Sequence, residues 1–271
     1  MRYADLHLHT TYSDSTYTPS QLIQEAHRVG LSTIAVVDHD TVGGIIPAVE
    51  AAKAVDLEVV PGIELTAEQD NQEVHVLGYC LDYRNSALLK QLASLKENRI
   101  QRIYKITEKL KNIGIDLNAE SVFEISGGGT VGRLHVARAM LKEKIVSSIF
   151  EAFHKYIGDK CPAYVLGFRL SVQQAIGLIK SAGGIPVLAH PYSVHNDSLI
   201  LDYIKAGIMG LEVYYPEHTQ SMRNYYLNLT KEYHLVATGG SDCHGKAKPE
   251  VRIGSIKIPY ELVEKLKEAK C

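Results

Sequence analysis

The sequence predicts an α/β fold: a βα barrel that carries an inserted helical subdomain. Three observations predict it. Seven short segments, apolar and rich in β-branched residues, read as strands covered on both faces. Helical patterns separate most of them, and this alternation builds a parallel sheet closed into a barrel. One stretch, from Ser86 to Ile113, breaks the rhythm. There Leu88, Leu92, Leu95, Ile103, Ile106, Leu110 and Ile113 follow three-and-four spacing, the pattern of a long amphipathic helix.

In chain order, Tyr3–Leu6 is the first strand. A helix follows, opened by Thr18 as cap and Pro19 in its first turn, and it ends before Gly30. Thr33–Val37 is the second strand, Ile45–Ala54 a helix, Glu58–Ile63 the third strand and Val74–Tyr79 the fourth. The long helix comes next, then shorter helical pieces separated by Gly127-Gly128-Gly129. Alternation resumes near Ala163, with helices at Ser171–Ala182, Leu199–Ala206 and Thr219–Tyr233 among strands at Ile185–Ala189, Gly210–Tyr214 and Leu235–Thr238. The barrel is therefore expected from residues 1–82 and 165–271, with 83–164 as the inserted helical cap.

Composition narrows the class. With 271 residues, 45% hydrophobic and 22% charged, the chain has ordinary soluble-globular composition and can bury a large core. No apolar run is long enough to span a bilayer, and the polar start does not resemble a signal peptide. Cys80, Cys161, Cys243 and Cys271 are scattered without a Cys-x-x-Cys pair, which favours reduced thiols and a cytoplasmic location. A net charge of −2 argues against a generic binder of duplex DNA or a membrane surface, and no obligate protein partner is evident. The charge is uneven. Residues Arg84 to Lys144 hold 12 Lys plus Arg against 6 Asp plus Glu, so a basic segment is set into an acidic body. A solvated helix face and an anion-attracting flap both fit that pattern.

Functional side chains of a βα barrel collect at the C-terminal strand ends. Here the first strand ends in His7 and His9, whose i, i+2 spacing puts both imidazoles on one face, with Asp14 in the following loop. The second ends in Asp38-His39-Asp40 and the third in Glu64. The fourth carries His75, the fifth runs into His190-Pro191, and the last runs into Ser241-Asp242-Cys243-His244. Singly, each has a plain structural explanation. His75 fits a core histidine, Asp14 a turn residue, and Asp38 or Asp40 a group that orients His39. Six of the 12 histidines meeting carboxylates at strand ends together favour a metal site. Imidazole and carboxylate without thiolate suits Mn²⁺, Fe²⁺ or Zn²⁺, and Cys243 is expected to point away and pack.

The order His-x-His, Asp, Asp-His, Glu, His, His-Pro, Ser-Asp-x-His resembles the PHP (polymerase and histidinol phosphatase) phosphoesterases over essentially the whole chain. Ala4–His9, Val37–Asp40, Pro61–Glu64, Ala189–Pro191 and Gly240–His244 carry the resemblance. It implies a distorted seven-stranded βα barrel holding three divalent metals. His7, His9, Glu64 and Asp242 would hold one, Glu64, His75 and His190 the second, and Asp14, His39 and His244 the third. Such a cluster hydrolyses phosphate esters through a metal-bridging hydroxide, so Glu64, Asp242 and His190 would serve catalysis. Asp40, a metal-bound water and the substrate itself stay open as the leaving-group acid.

The inserted segment resembles that of 3′,5′-nucleoside bisphosphate phosphatases and related 5′→3′ exoribonucleases. The matching residues are Arg99-x-x-Arg102, Gly132-Arg133-x-His135-Val136-Ala137, Tyr156–Gly158 and Pro162–Val165; Leu134 stands where that subgroup commonly has proline. The resemblance implies a small phosphorylated nucleotide (pAp to AMP and phosphate) or short 5′-phosphorylated RNA as substrate, bound by Arg99, Arg102, Arg133 and His135. The planar fork of an arginine suits a phosphate. Histidinol-phosphate hydrolysis, an amidohydrolase-type C–N hydrolase and a non-catalytic PHP module are the competing readings.

Overall fold

In the computed structural model, which describes residues 2–70, 72–167 and 170–270, the chain begins with strand β1 (Tyr3–Leu8), helix α1 (Pro19–Arg28), β2 (Thr33–Val36) and α2 (Ile45–Ala52). β3 (Glu58–Gln69) and β4 (Gln72–Tyr79) follow, then four helices in a row: α3 (Ser86–Asn112), α4 (Ala119–Ser126), α5 (Arg133–Lys142) and α6 (Ile149–Ala152). The second half runs β5 (Leu170–Ser171), α7 (Val172–Ser181), β6 (Ile185–Leu188), α8 (Asp197–Ala206), β7 (Gly210–Tyr214), α9 (Gln220–Glu232) and β8 (Val236–Gly239). It ends in β9 (Ile258–Pro259) and α10 (Tyr260–Glu268). Among the described residues no helix is long and apolar enough to cross a membrane.

The strands form one sheet in the order β8-β7-β6-β4-β3-β2-β1-β9, with β5 beside β3. The segment after β8 returns to β1, where the Asp242 amide donates to the His7 carbonyl at 2.9 Å and Leu8 bridges Cys243, so the sheet nearly closes into a barrel. The seven expected strands are all present, and two-residue pairings β5 and β9 raise the count to nine among the described residues. One expectation is corrected: β4 runs antiparallel to both β3 and β6. β3 continues to Gln69, which lies opposite Gln72, and so short a connection cannot hold a crossover helix. The reversal brings His75, near the start of β4, opposite Thr66 at the end of the barrel where Glu64 lies.

Inside the barrel, Ala4, Leu6, Val60, Leu77 and Val187 pack in one cluster with Val263 and Leu266 of α10, which closes the end at the start of β1. The register of β1 slips between Asp5 and Leu8. Leu6 therefore faces the interior, while Leu8 packs with Leu22 and Ile34 in the layer under α1. Cys243 is buried in that same layer, as packing requires. Cys80, Cys161 and Cys243 are free thiols; Cys271 lies outside the described residues. The helical segment has an apolar cluster of its own, with Ile103, Ile106, Val122, Val136, Met140 and Ile157. The N-terminal half of α3 instead joins the barrel layer through Leu88, Leu92 and Leu95, packed with Ile176 and Ile179 of α7.

Candidate metal centre

Glu64 is the hub. It is 1% exposed, and its carboxylate is ringed by five imidazoles. Oε2 lies 3.2 Å from His7 Nε2, 3.3 Å from His9 Nε2 and 3.2 Å from His39 Nδ1. Oε1 lies 2.8 Å from His75 Nδ1 and 3.3 Å from His190 Nε2. Asp242 Oδ1 reaches His9 Nε2 at 3.1 Å, and Asp14 Oδ1 reaches His244 Nε2 at 3.1 Å. All nine expected ligands thus meet at one end of the barrel.

The backbone there is strained. His190, Asp40 and Asp242 adopt φ of 27°, 51° and 55°, a region costly for residues with a Cβ. Hydrogen bonds hold them: the His190 amide donates to Glu212 Oε2 at 2.8 Å and the Asp40 amide to the Glu64 carbonyl at 3.0 Å. Gly240 is required where it stands, because a Cβ would sit 2.3 Å from the His7 backbone nitrogen.

The donor set fits divalent cations. Asp14 Oδ1, His39 Nδ1, His75 Nδ1 and His244 Nε2 are buried and close to oppositely charged atoms, yet none makes an aligned hydrogen bond among the described residues, although such atoms are normally satisfied. Three groups have ligand atoms within 4.8 Å of one another: His7, His9, Glu64 and Asp242; His9, Asp14, His39 and His244; His39, Glu64 and His75. Electrostatics points the same way. Burial alone would raise Glu64, yet His39, His75 and His7 hold it well below the usual carboxylate range. Burial alone would lower His75, yet Glu64 and Glu73 push it up to about 10. Buried carboxylates that demand this much positive charge are what a divalent cation satisfies.

The PHP domain profile matches residues 5–163, more than half of the chain. The chain belongs to the PHP family. It is 33% identical to a 5′-3′ exoribonuclease of Haemophilus influenzae over 89% of this chain and 89% of that one. It is 30% identical to a 3′,5′-nucleoside bisphosphate phosphatase of Chromobacterium violaceum over 89% of this chain and 86% of that protein. A crystal structure described as a metal-dependent phosphoesterase from Bifidobacterium adolescentis superposes with a TM-score of 0.90 at 29% identity, covering 97% of this chain and 94% of the other. This PHP protein is accordingly a metal-dependent hydrolase of phosphoester bonds.

A second ring of residues in this PHP site escaped the sequence reading. Glu212, fully buried in β7, accepts from His7 Nδ1 at 2.8 Å and so leaves Nε2 facing Glu64. Glu73 accepts from His75 Nε2 at 3.0 Å and leaves Nδ1 facing Glu64. Tyr215 and Lys248 donate to Asp242 Oδ2 at 2.9 and 3.1 Å. An acidic residue inside an apolar strand is a usable signal for Glu212. Asp38 accepts from the Thr10 amide, the Thr10 hydroxyl and the Ser13 hydroxyl, which pins the loop bearing Asp14.

The centre opens into a cavity of about 970 Å³, walled on one side by Asp14, His39, His75, Asp242 and His244 and on the other by Arg99, Arg102, Arg133, Phe150 and Phe153. Arg133 projects between Glu73 and Asp159, at 3.1 and 2.7 Å. Arg102 donates from Nε to the Val165 carbonyl at 2.8 Å. Arg99 donates to Asp40 Oδ2 at 2.7 Å and to the Thr66 hydroxyl at 2.8 Å, while Asp40 Oδ1 accepts the Thr66 amide at 2.9 Å. Asp40 borders a small separate pocket with Arg99 and Arg102. His135 is turned from the main cavity. Its Nδ1 accepts the Gly132 amide at 3.1 Å, and its ring donates to the Ser13 backbone.

Proposed function

We propose that this enzyme hydrolyses the phosphate ester of a small nucleotide, a 3′,5′-nucleoside bisphosphate or the 5′ end of short RNA, with residues 83–164 acting as the cap that reads the substrate. The observation that carries the reading is the position of Arg133. A single residue, Glu73, separates its guanidinium from the ligand His75, at 3.1 and 3.0 Å. A nucleotide with one phosphate at the metal centre would thus find a planar cation beside it for a second phosphate. Phe150 and Phe153 line the same cavity, and Phe150 is 76% exposed, an open face for a nucleobase. The names of the two relatives given above support this substrate class.

The ligand sets fit three divalent ions, Mn²⁺, Fe²⁺ or Zn²⁺. When bound, they would supply an activated water and neutralise charge on the phosphoryl oxygens. The chain's own part is to hold the ester in place. Lys248, on the cavity wall beside Asp242, adds a cation for a phosphoryl oxygen. Asp40, engaged by Arg99 and Thr66, acts by fixing the cap arginine, and we do not assign it the leaving-group proton.

The test is phosphate release from the Mn²⁺-loaded protein across pAp, histidinol phosphate, AMP and short 5′-phosphorylated RNA. Turnover of pAp or RNA at least tenfold above histidinol phosphate and AMP is the expected result. Preference for histidinol phosphate would overturn the nucleotide assignment.

A further inference from the structure

A second cavity, of about 430 Å³, lies on the other side of the loop that carries Asp14. Asp14 lines the metal-side cavity, whereas its neighbours Ser13 and Ser15 line this one together with Thr11, Gly128, His135 and Arg138. Helix α5 therefore presents Arg133 to one cavity and Arg138 to the other. We propose that this second cavity is a binding site for a phosphate-class oxyanion, with Arg138 as its cationic ligand.

Several observations favour it. Arg138 is partly buried and makes no hydrogen bond or ion pair among the described residues. Burial works against its charge and outweighs the favourable field of Asp14, so the cation is desolvated more than it is neutralised. No carboxylate lines the cavity among the described residues; Asp14, whose charge favours Arg138, lines the metal-side cavity instead, 3.1 Å from His244 Nε2. His135, the other basic side chain on the wall, is neutral: burial lowers its imidazole to about 4. Arg138 is also not needed to cap α4, whose end points at the cavity. The Gly127 amide donates to the Phe123 and Glu124 carbonyls, and the Gly129 amide to the Ser126 carbonyl at 2.9 Å. Gly127 and Gly128, at φ of 58° and 84°, have open space where a Cβ would stand, so the wall admits a ligand closely. A positive, hydroxyl-rimmed space of this size suits a phosphate or phosphodiester.

Two sources could supply it: the downstream backbone of an RNA substrate, or a free anion that binds behind the metal loop. Equilibrium dialysis of the metal-loaded protein with inorganic phosphate counts sites without turnover, so it reports on this cavity whichever ester the metal centre cleaves. The wild type is expected to bind one more phosphate per chain than Arg138→Gln. Arg138→Lys should restore that phosphate with several-fold weaker affinity, and it keeps the test decisive if the glutamine variant does not fold. kcat/KM is then measured on 5′-phosphorylated RNAs of two, four and six nucleotides. A loss in Arg138→Gln that grows with length assigns the anion to the substrate chain, and a lost phosphate with length-independent rates assigns it to a free ligand. Equal phosphate binding by all three proteins, with equal rates at every length, overturns the proposal.

Discussion

Glu73 Oε1 stands 3.0 Å from His75 Nε2, and this contact decides which ring nitrogen faces the metal centre. With Nε2 turned to Glu73, Nδ1 is the ring nitrogen that faces the centre, 2.8 Å from Glu64. The other Glu73 oxygen holds Arg133 at 3.1 Å, so one carboxylate orients a ligand and a cap cation together.

Glu73→Gln should therefore disturb both. The amide can present its NH₂ to His75 or to Arg133, and either choice faces a donor or reverses the imidazole tautomer. Metal retained after dialysis, measured by elemental analysis, should fall about 10- to 100-fold in affinity at one site, the range typical of lost outer-shell partners. KM for a bisphosphate should rise as well. Full retention of metal with an unchanged KM would count against the coupling.

Glu64 touches both sides of the cluster, whereas Asp14 belongs to one side, 3.8 and 3.1 Å from His39 and His244. Reconstituted wild type should bind about three divalent ions per chain. Glu64→Gln should abolish activity more completely than Asp14→Asn, since it removes charge shared by two ligand groups. A saturating stoichiometry of one, or equal residual rates in metal-saturated variants, would contradict the assignment.

Arg133→Ala should lower kcat/KM for pAp by roughly two orders of magnitude, as for loss of a charged phosphate contact of ~3 kcal/mol. The same change should affect p-nitrophenyl phosphate far less, because that ester has no second phosphate. Equal losses on both substrates would place Arg133 at the scissile phosphate or in structural support.

His135 links the fold to pH. Burial keeps its imidazole neutral down to about 4, against an ordinary value of 6.5. Between those values the unfolded chain binds the extra proton, so stability present above pH 6.5 is lost as pH falls toward 4, by up to about 3 kcal/mol. Thermal midpoints should thus decline more steeply with acid in wild type than in His135→Gln, which keeps a donor for the Ser13 backbone. Parallel declines would show that His135 is not the group responsible.

The cluster itself was legible because its logic is local. Side chains two apart on a strand share a face, so His7 and His9 both reach Glu64, and strand ends bring Glu64, His190 and Asp242 to one rim. Their residue types then limit the chemistry to hard or borderline divalent cations. The helical segment was legible for the same reason: the apolar spacing in α3 turns to one face wherever the helix lies.

What only the tertiary structure decided is pairing across distance. β4 runs backwards because β3 extends to Gln69, and propensity could not say where β3 would stop. Glu212 meets His7 across 205 positions, and Arg99 meets Asp40 across 59. In sequence, Arg99 and His135 read alike as phosphate-binding candidates. In the fold, the first is tied to Asp40 and the second faces Ser13. Periodicity determines which face a side chain takes, but whether that face meets substrate, a carboxylate or another loop depends on how distant segments pack. A buried charge must take whichever partner that packing brings.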